Sequence, residues 1–330
     1  MDLSTRYCGL ALPHPFVAGA SPLSETTEGV KRLADAGAAA VVLPSLFEEE
    51  VREEQLATAA AFDFPSESFG EALTYLPEPP GMATVAERHV ERIAAAKAAV
   101  DVPVIASLNG TTDAGWLEHA RAIEAAGADA LELNIYFVAT DPEEPGSAVE
   151  DRVVAAAAHV RRAVTIPVAV KLSPYFSSLA HLAGRLEAAG IDGLVLFNRF
   201  FQPDIDIEAL EVVPRLRLSD PSELALRLAW LGILSARLRT SLAVTGGVHT
   251  VDDAVKALMS GADAVQTVSA LLRAGPHHLS VLRAGLARWL AEHEYDSLGQ
   301  MKGSMNLRRC PDPAAYQRQN YRRMLHSWRP

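Results

Sequence analysis

Cysteine is nearly absent: Cys8 and Cys310 are the two in 330 residues, set near opposite ends with no CxxC partner. Neither has a histidine at metal-ligand spacing, so neither structural zinc nor iron–sulfur ligation finds a motif, and a pair of reduced thiols is expected. Aromatics are scarce at 6%, while charged residues stand at an ordinary 22%, a balance that fits neither disorder, collagen nor coiled coil. No run of 18 apolar residues occurs, because the alanine-rich stretches are broken by Arg, Glu or Asp. The first twelve residues carry Asp2 and Arg6 and no apolar core. A membrane span and a secretory signal are therefore not expected, and the chain reads as cytosolic. Positive charge is also in deficit, with 30 basic against 41 acidic residues and a net charge of −11, which argues against nucleic-acid or anionic-membrane partners. One segment runs the other way. Residues 301–330 hold seven basic side chains and one acid, Asp312, and this basic tail is expected to dock on the acidic body of its own chain.

What is abundant is apolar surface, at 49% of residues with a mean hydropathy of +0.09. That suffices for one large buried core, so a single domain over residues 1–330 is expected. Two phrases alternate along it. One is a helix ending in Ala-Gly or Ser-Gly before a short apolar run: LADAGAAAVVL (33–43), IEAAGADALEL (123–133), LEAAGIDGLVL (186–196) and LMSGADAVQTV (258–268). The other is a β-branched run, usually opened by Pro: PFVAGAS (15–21), VPVIASL (102–108), IPVAVKLS (166–173) and SLAVTGG (241–247). Continuous rather than alternating apolar runs are how strands buried on both faces read, and Gly supplies the left-handed helix cap. Interleaving the phrases gives eight βα units, hence an α/β fold of the closed (β/α)8, or TIM, barrel type. Residues 45–81 fall outside the repeat and are expected as a long loop after the second strand, with an acidic run reading as a solvated helix face.

In such a barrel the chemistry stands at the C-terminal ends of the strands. The polar residues there are Ser21, Ser45, Asn109, Asn134, Lys171, Asn198, Thr245–Gly246–Gly247 and Ser269 followed by Ala270. Lys171 ends an apolar strand, and a buried ammonium needs something opposite it. A phosphate, an enolate or an electron-accepting ring would serve, and an ion pair with Glu132 is the alternative. Gly246, Gly247, Ser269 and Ala270 follow the seventh and eighth strands, where barrels of this kind bind phosphate. Asn134 and Asn198 end the fourth and sixth, offering donors and acceptors to a flat heterocycle.

These residues resemble those of the class 1 dihydroorotate dehydrogenases. The likeness runs over nearly the whole barrel and is densest in ELNIY (132–136), VKLSPYF (170–176) and TGGVHTVDDAVKALMSGADAVQTVSALL (245–272). The resemblance implies a noncovalent FMN, its phosphate on Gly246, Gly247 and Ser269, with Lys171 near the flavin N1 end and Asn134 and Asn198 contacting flavin or substrate. It further implies a homodimer and a dihydroorotate substrate in pyrimidine biosynthesis. Val268 stands where the family usually has Gly.

The substrate half departs from that pattern. Phe137 occupies the position of the family's proton-abstracting cysteine, and a phenyl ring takes no proton. Ala139 replaces the motif's second asparagine. The run VVLPSLF (41–47) lacks the family's lysine, and EALTYLPEPPG (71–81) stands in place of its substrate loop. An FMN-dependent oxidoreductase with a changed small-molecule substrate follows. Phe137, Asn134 and Asn198 would line its site, with Tyr136, Tyr75 or Asp141 moving the proton. Two further readings stay open. One is a flavin-binding partner of a larger redox enzyme, the other a flavin-free barrel using Lys171 as a Schiff-base amine. No metal is expected, and any reoxidant would be an external partner or a small molecule.

Overall fold

In the computed structural model, residues 1–63, 83–110, 113–136, 138–199, 203–317 and 319–327 are described. Eight parallel strands close into a barrel: β3 (Phe16–Ala18), β4 (Val41–Phe47), β5 (Val104–Asn109), β6 (Ala130–Asn134), β7 (Val168–Leu172), β8 (Gly193–Leu196), β11 (Ser241–Thr245) and β12 (Ala264–Thr267). Each neighbours the next in this order, and β12 returns to β3. The (β/α)8 expectation is met strand for strand. Surrounding helices are α1 (Thr27–Asp35), α3 (Val85–Ala99), α4 (Asp113–Ala125), α5 (Gly146–Ala163), α6 (Leu179–Ala188), α7 (Leu224–Leu234), α8 (Val251–Ser260) and α10 (His278–Glu292).

The repeated phrase proves to be wiring. In three of its four copies the residue two after the glycine is aspartate, and each carboxylate accepts a backbone N–H at the start of a neighbouring strand. Asp129 takes Val104 N–H at 2.7 Å, Asp192 takes Val168 N–H at 2.9 Å and Asp263 takes Leu242 N–H at 2.8 Å. The glutamates of IEAAG and LEAAG work alongside. Glu124 accepts from Thr165 and Ile166, and Glu187 from Arg239 and Thr240. Charged acceptors on exposed N–H groups are strong bonds, so the N-terminal rim of the barrel is tied by side chains readable in the repeat.

Two short hairpins lie outside the pattern. β1 (Thr5–Tyr7) and β2 (Leu10–Leu12) pair antiparallel. Tyr7, Cys8 and Leu12 pack with Val17, Val42, Ile105, Ala130, Ala169, Val195, Ala243 and Ala264 inside the barrel, so the hairpin plugs its floor. β9 (Asp204–Asp206) and β10 (Glu211–Val213) form the second, after β8.

The long loop expected over 45–81 is corrected in its first half. β4 continues to Phe47 and α2 (Glu48–Asp63) follows at once. Pro44, which has no N–H, sits at a register shift between Val42 and Ser45 and lets the strand resume. Ser45 is therefore inside β4, with its Oγ 2.7 Å from Ser107 Oγ on β5. Residues 64–82, which include Tyr75 and all of EALTYLPEPPG, lie outside the described residues, as does Phe137. Ahead of α7 a 3-10 turn, Pro221–Glu223, leads into the helix, which stops at Leu234.

Beyond α10, a short helix, α11 (Leu298–Met301), and the chain after it pack back on α7 and α8. Met301 and Asn306 are buried, Leu307 N–H donates to Gly232 O at 2.9 Å, and Lys302 pairs with Asp263. Only then does the chain reach the exposed helix α12 (Gln319–Ser327). No helix among the described residues is long and apolar enough to cross a membrane.

Candidate active site

Strand alternation sorts the barrel interior into layers. Below are the small residues Ala130, Ala169, Ala243 and Ala264 over the hairpin plug. Two residues further along the strands stand Ser107, Glu132, Lys171, Thr245 and Gln266, and above them Asn109 and Asn134. Because all eight strands are parallel, Lys171, Asn134, Asn198 and Gly246–Gly247 open on the same mouth.

Lys171 lies opposite Asn134 in register. Its Nζ is 3.3 Å from Glu132 Oε1, with the lysine side chain 11% exposed and the glutamate 1% exposed. Glu132 Oε2 accepts Gln266 Nε2 at 2.7 Å. The ion pair that stood as the alternative is thus present, and it leaves the ammonium at the mouth rather than removing it. Asn198, held by its N–H on Leu172 O at 2.8 Å, donates Nδ2 to Asn134 Oδ1 at 2.6 Å. The two amides therefore bridge β6 and β8 across the top of β7, and each keeps one amide group for a ligand.

After β11, the strand next to β8, Gly246 and Gly247 have φ of +82° and +83°, the left-handed region in which side chains are strained. Space forbids a side chain as well: a Cβ on Gly246 would meet Arg227 Nη2 at 2.7 Å, and one on Gly247 would meet Leu224 N at 2.7 Å. Ser269 and Ala270 begin the six-residue helix α9 (Ser269–Ala274), and both are buried. Ser219 joins the two loops. Its N–H and Oγ donate to Ser269 Oγ at 3.0 and 2.9 Å, and Gly247 N–H donates to Ser219 Oγ at 3.3 Å. Behind the glycines Arg227 is 5% exposed, bonded to Thr245 O and Glu223 O. Glu223 is shared with Arg199, 3.0 Å away, so two cations face one carboxylate. Glycine backbone, two hydroxyls and surplus positive charge suit a phosphate.

Val268 explains itself here. Its φ is −129°, which needs no glycine, and its Cγ2 would stand 2.7 Å from a Cβ on Gly19. The room left by Gly19 is the room Val268 fills.

The other expected residues are less central. Ser21 is buried and precedes a 3-10 turn, Pro22–Ser24. Asn109 ends β5 and is 6% exposed. Tyr136 is half-buried two positions beyond β6. Asp141 is exposed, accepts Glu143 N–H at 2.9 Å and lines a cavity of about 310 Å³ with Trp116, Ile135, Val138 and Arg152, a lining that does not include Lys171. Among the described residues no cluster of His, Cys, Asp or Glu is placed to hold a metal ion.

Sequence reasoning missed Gln266, Arg227 and Ser219. The first two carried a signal, as lone polar residues inside the apolar runs AVQTV and LALRLAWLGIL. Ser219 carried none, since its contacts join loops 28 and 50 residues away.

The family model described as dihydroorotate dehydrogenase matches residues 2–290. The NAD-dependent dihydropyrimidine dehydrogenase subunit PreA of Escherichia coli (strain K12) is 26% identical over 325 residues, covering 92% of this chain and 77% of that protein. A putative dihydroorotate dehydrogenase A (fumarate) of Aeropyrum pernix is 32% identical over 212 residues, 61% of this chain and 67% of its own length. The catalytic subunit of dihydroorotate dehydrogenase B (NAD(+)) of Methanocaldococcus jannaschii is 27% identical over 283 residues, 83% and 88% of the two chains. With its closed barrel and its polar mouth, the chain belongs to the dihydroorotate dehydrogenase family.

Proposed function

We propose that the protein is an FMN-dependent oxidoreductase acting on a CH–CH bond of a small substrate other than dihydroorotate. The observation that carries this is the mouth itself: an ammonium at Lys171, anchored from below by Glu132, shares one opening with the glycine cradle at Gly246 and Gly247. One site suits negative charge on a ring, the other a phosphate. In this reading Gly246, Gly247, Ser219, Ser269 and Ala270 hold the phosphate, with Arg227 behind them. Ser21 and Asn109 border the ring, and Asn134 and Asn198 orient ring and substrate.

When bound, FMN would supply the hydride acceptor. Lys171 then places positive charge where the ring gains negative charge, and the asparagine pair fixes the substrate plane. Tyr136, two positions beyond β6, is the residue we assign to move the substrate proton. Phe137 in the sequence position of the family's cysteine suits a substrate that needs no thiolate base.

The test is spectroscopic. Purified protein, or apoprotein titrated with FMN, should show a stoichiometric flavin band, and Tyr136→Phe should slow substrate reduction of the flavin at least tenfold while leaving that band intact. Dihydropyrimidines and enones form the substrate panel. Rapid bleaching by dihydroorotate would refute the changed substrate, and failure to take up FMN would refute the flavin.

A second reading is favoured by the relatives' names. PreA is called a subunit and the Methanocaldococcus protein a catalytic subunit, so this chain would work beside a redox partner that passes electrons to or from the flavin. Co-purification of a stable stoichiometric complex, in place of a homodimer, would distinguish the two assemblies.

A further inference from the structure

Glu132 is an expensive residue to keep. A carboxylate at 1% exposure, in the middle layer of an apolar barrel, must be satisfied by its neighbours. It is satisfied by two: Lys171 Nζ at 3.3 Å on one oxygen and Gln266 Nε2 at 2.7 Å on the other. Gln266 in turn leaves its own Oε1 buried and without a hydrogen-bond partner. A leucine or methionine at 266 would fill the space without an orphaned acceptor. What the glutamine adds is a donor that orients one specific carboxylate.

The geometry has an electrostatic result. An ammonium alone at the mouth would act on a ligand as a full charge. With a carboxylate 3.3 Å behind it, the two act as a dipole, whose field falls off faster with distance, and in a low-dielectric interior the difference is large. Lys171 is thereby held in one place and its effective charge is attenuated at the same time. Tyr7, Ala130 and Ala169 below are apolar or neutral, so the floor does not supply the countercharge.

Resting on the FMN reading, we propose that Glu132, oriented by Gln266, is a positioning residue that sets the charge Lys171 presents to the flavin, and with it the flavin's reduction potential. Glu132 does not touch the ligand; it acts through Lys171.

The experiment is a redox titration of the FMN-loaded protein. Glu132→Gln keeps the shape and an acceptor for Lys171 but removes the countercharge, so the ratio of reduced to oxidised flavin at a fixed poise should rise about tenfold, about 30 mV for a two-electron couple. Lys171→Met should shift it in the opposite direction. Glu132→Asp, which restores the charge at shorter reach, should fall between wild type and Glu132→Gln. A purely structural role would lower thermal stability and leave the potential in place. If Glu132→Gln binds FMN with an unchanged potential, the inference is overturned while the flavin reading stands. If Glu132→Gln fails to fold, Glu132→Asp decides by the same criterion. A wild-type protein that takes up no FMN overturns both.

Discussion

His14 is 3% exposed just ahead of β3, and its Nδ1 accepts the Phe16 N–H at 3.3 Å, a bond only the neutral ring makes with that nitrogen. Burial first, and Arg283 second, lowers its pKa to about 4. His89 is likewise 3% exposed, and burial, then Arg92 and His119, lowers its pKa to about 4. An unfolded histidine titrates near 6.5, so between these values the unfolded chain binds more protons than the folded one. Stability is therefore fully present above about pH 6.5 and falls as pH drops toward 4, by up to about 3 kcal/mol for each ring. Urea midpoints should drop between pH 7 and pH 5, and His14→Asn, which keeps an acceptor for Phe16 N–H, should flatten part of that slope. An unchanged slope in the variant would show that His14 titrates normally. None of this was legible from the sequence, where His14 is one of ten histidines and only packing distinguishes it.

At the scale of elements, the floor hairpin and β8 meet at one contact with a sharp steric signature. A Cβ on Gly193 would stand 2.3 Å from Cys8 Sγ. Cys8 sits in the hairpin turn at φ +48° and is 1% exposed, and burial raises its thiol pKa far above the usual range. What it contributes is thus volume rather than reactivity. Gly193→Ala should destabilise by about 1–3 kcal/mol through overpacking, and Cys8→Gly in the same chain should relieve most of that penalty. Equal and additive losses in the double mutant would deny the contact, a comparison calorimetry can make. The strands themselves were readable, because the glycine, aspartate and glutamate of the repeat are the residues that tie the rim. The hairpins were not, since three-residue strands leave no periodicity to find. In the site, Lys171 and the glycines were readable as exceptions to an apolar rule, whereas the Asn134–Asn198 bond spans 64 residues and exists only once the barrel closes.

For the molecule as a whole, the basic C-terminal stretch divides into two parts. Up to Tyr316 it is structural: Met301 is fully buried, Cys310 is 8% exposed, and the Tyr316 ring lies so close over Gly232 that a Cβ there would be 2.4 Å away. Beyond it, α12 leaves Tyr321, Met324 and Leu325 each more than 60% exposed. Ending the chain after Gln317 should leave the melting temperature within about 2 °C, whereas ending it before Met301 should lower it by roughly 10 °C or more, since several buried side chains are lost. Equal effects of the two truncations would contradict this division.

The plugged floor has a further result for traffic. With Tyr7, Cys8 and Leu12 seated between the strands, the barrel is a cup and not a tube. Whatever comes to rest above Lys171 departs over the same rim, so a reductant and an oxidant that both need the bottom of the cup must visit it in turn.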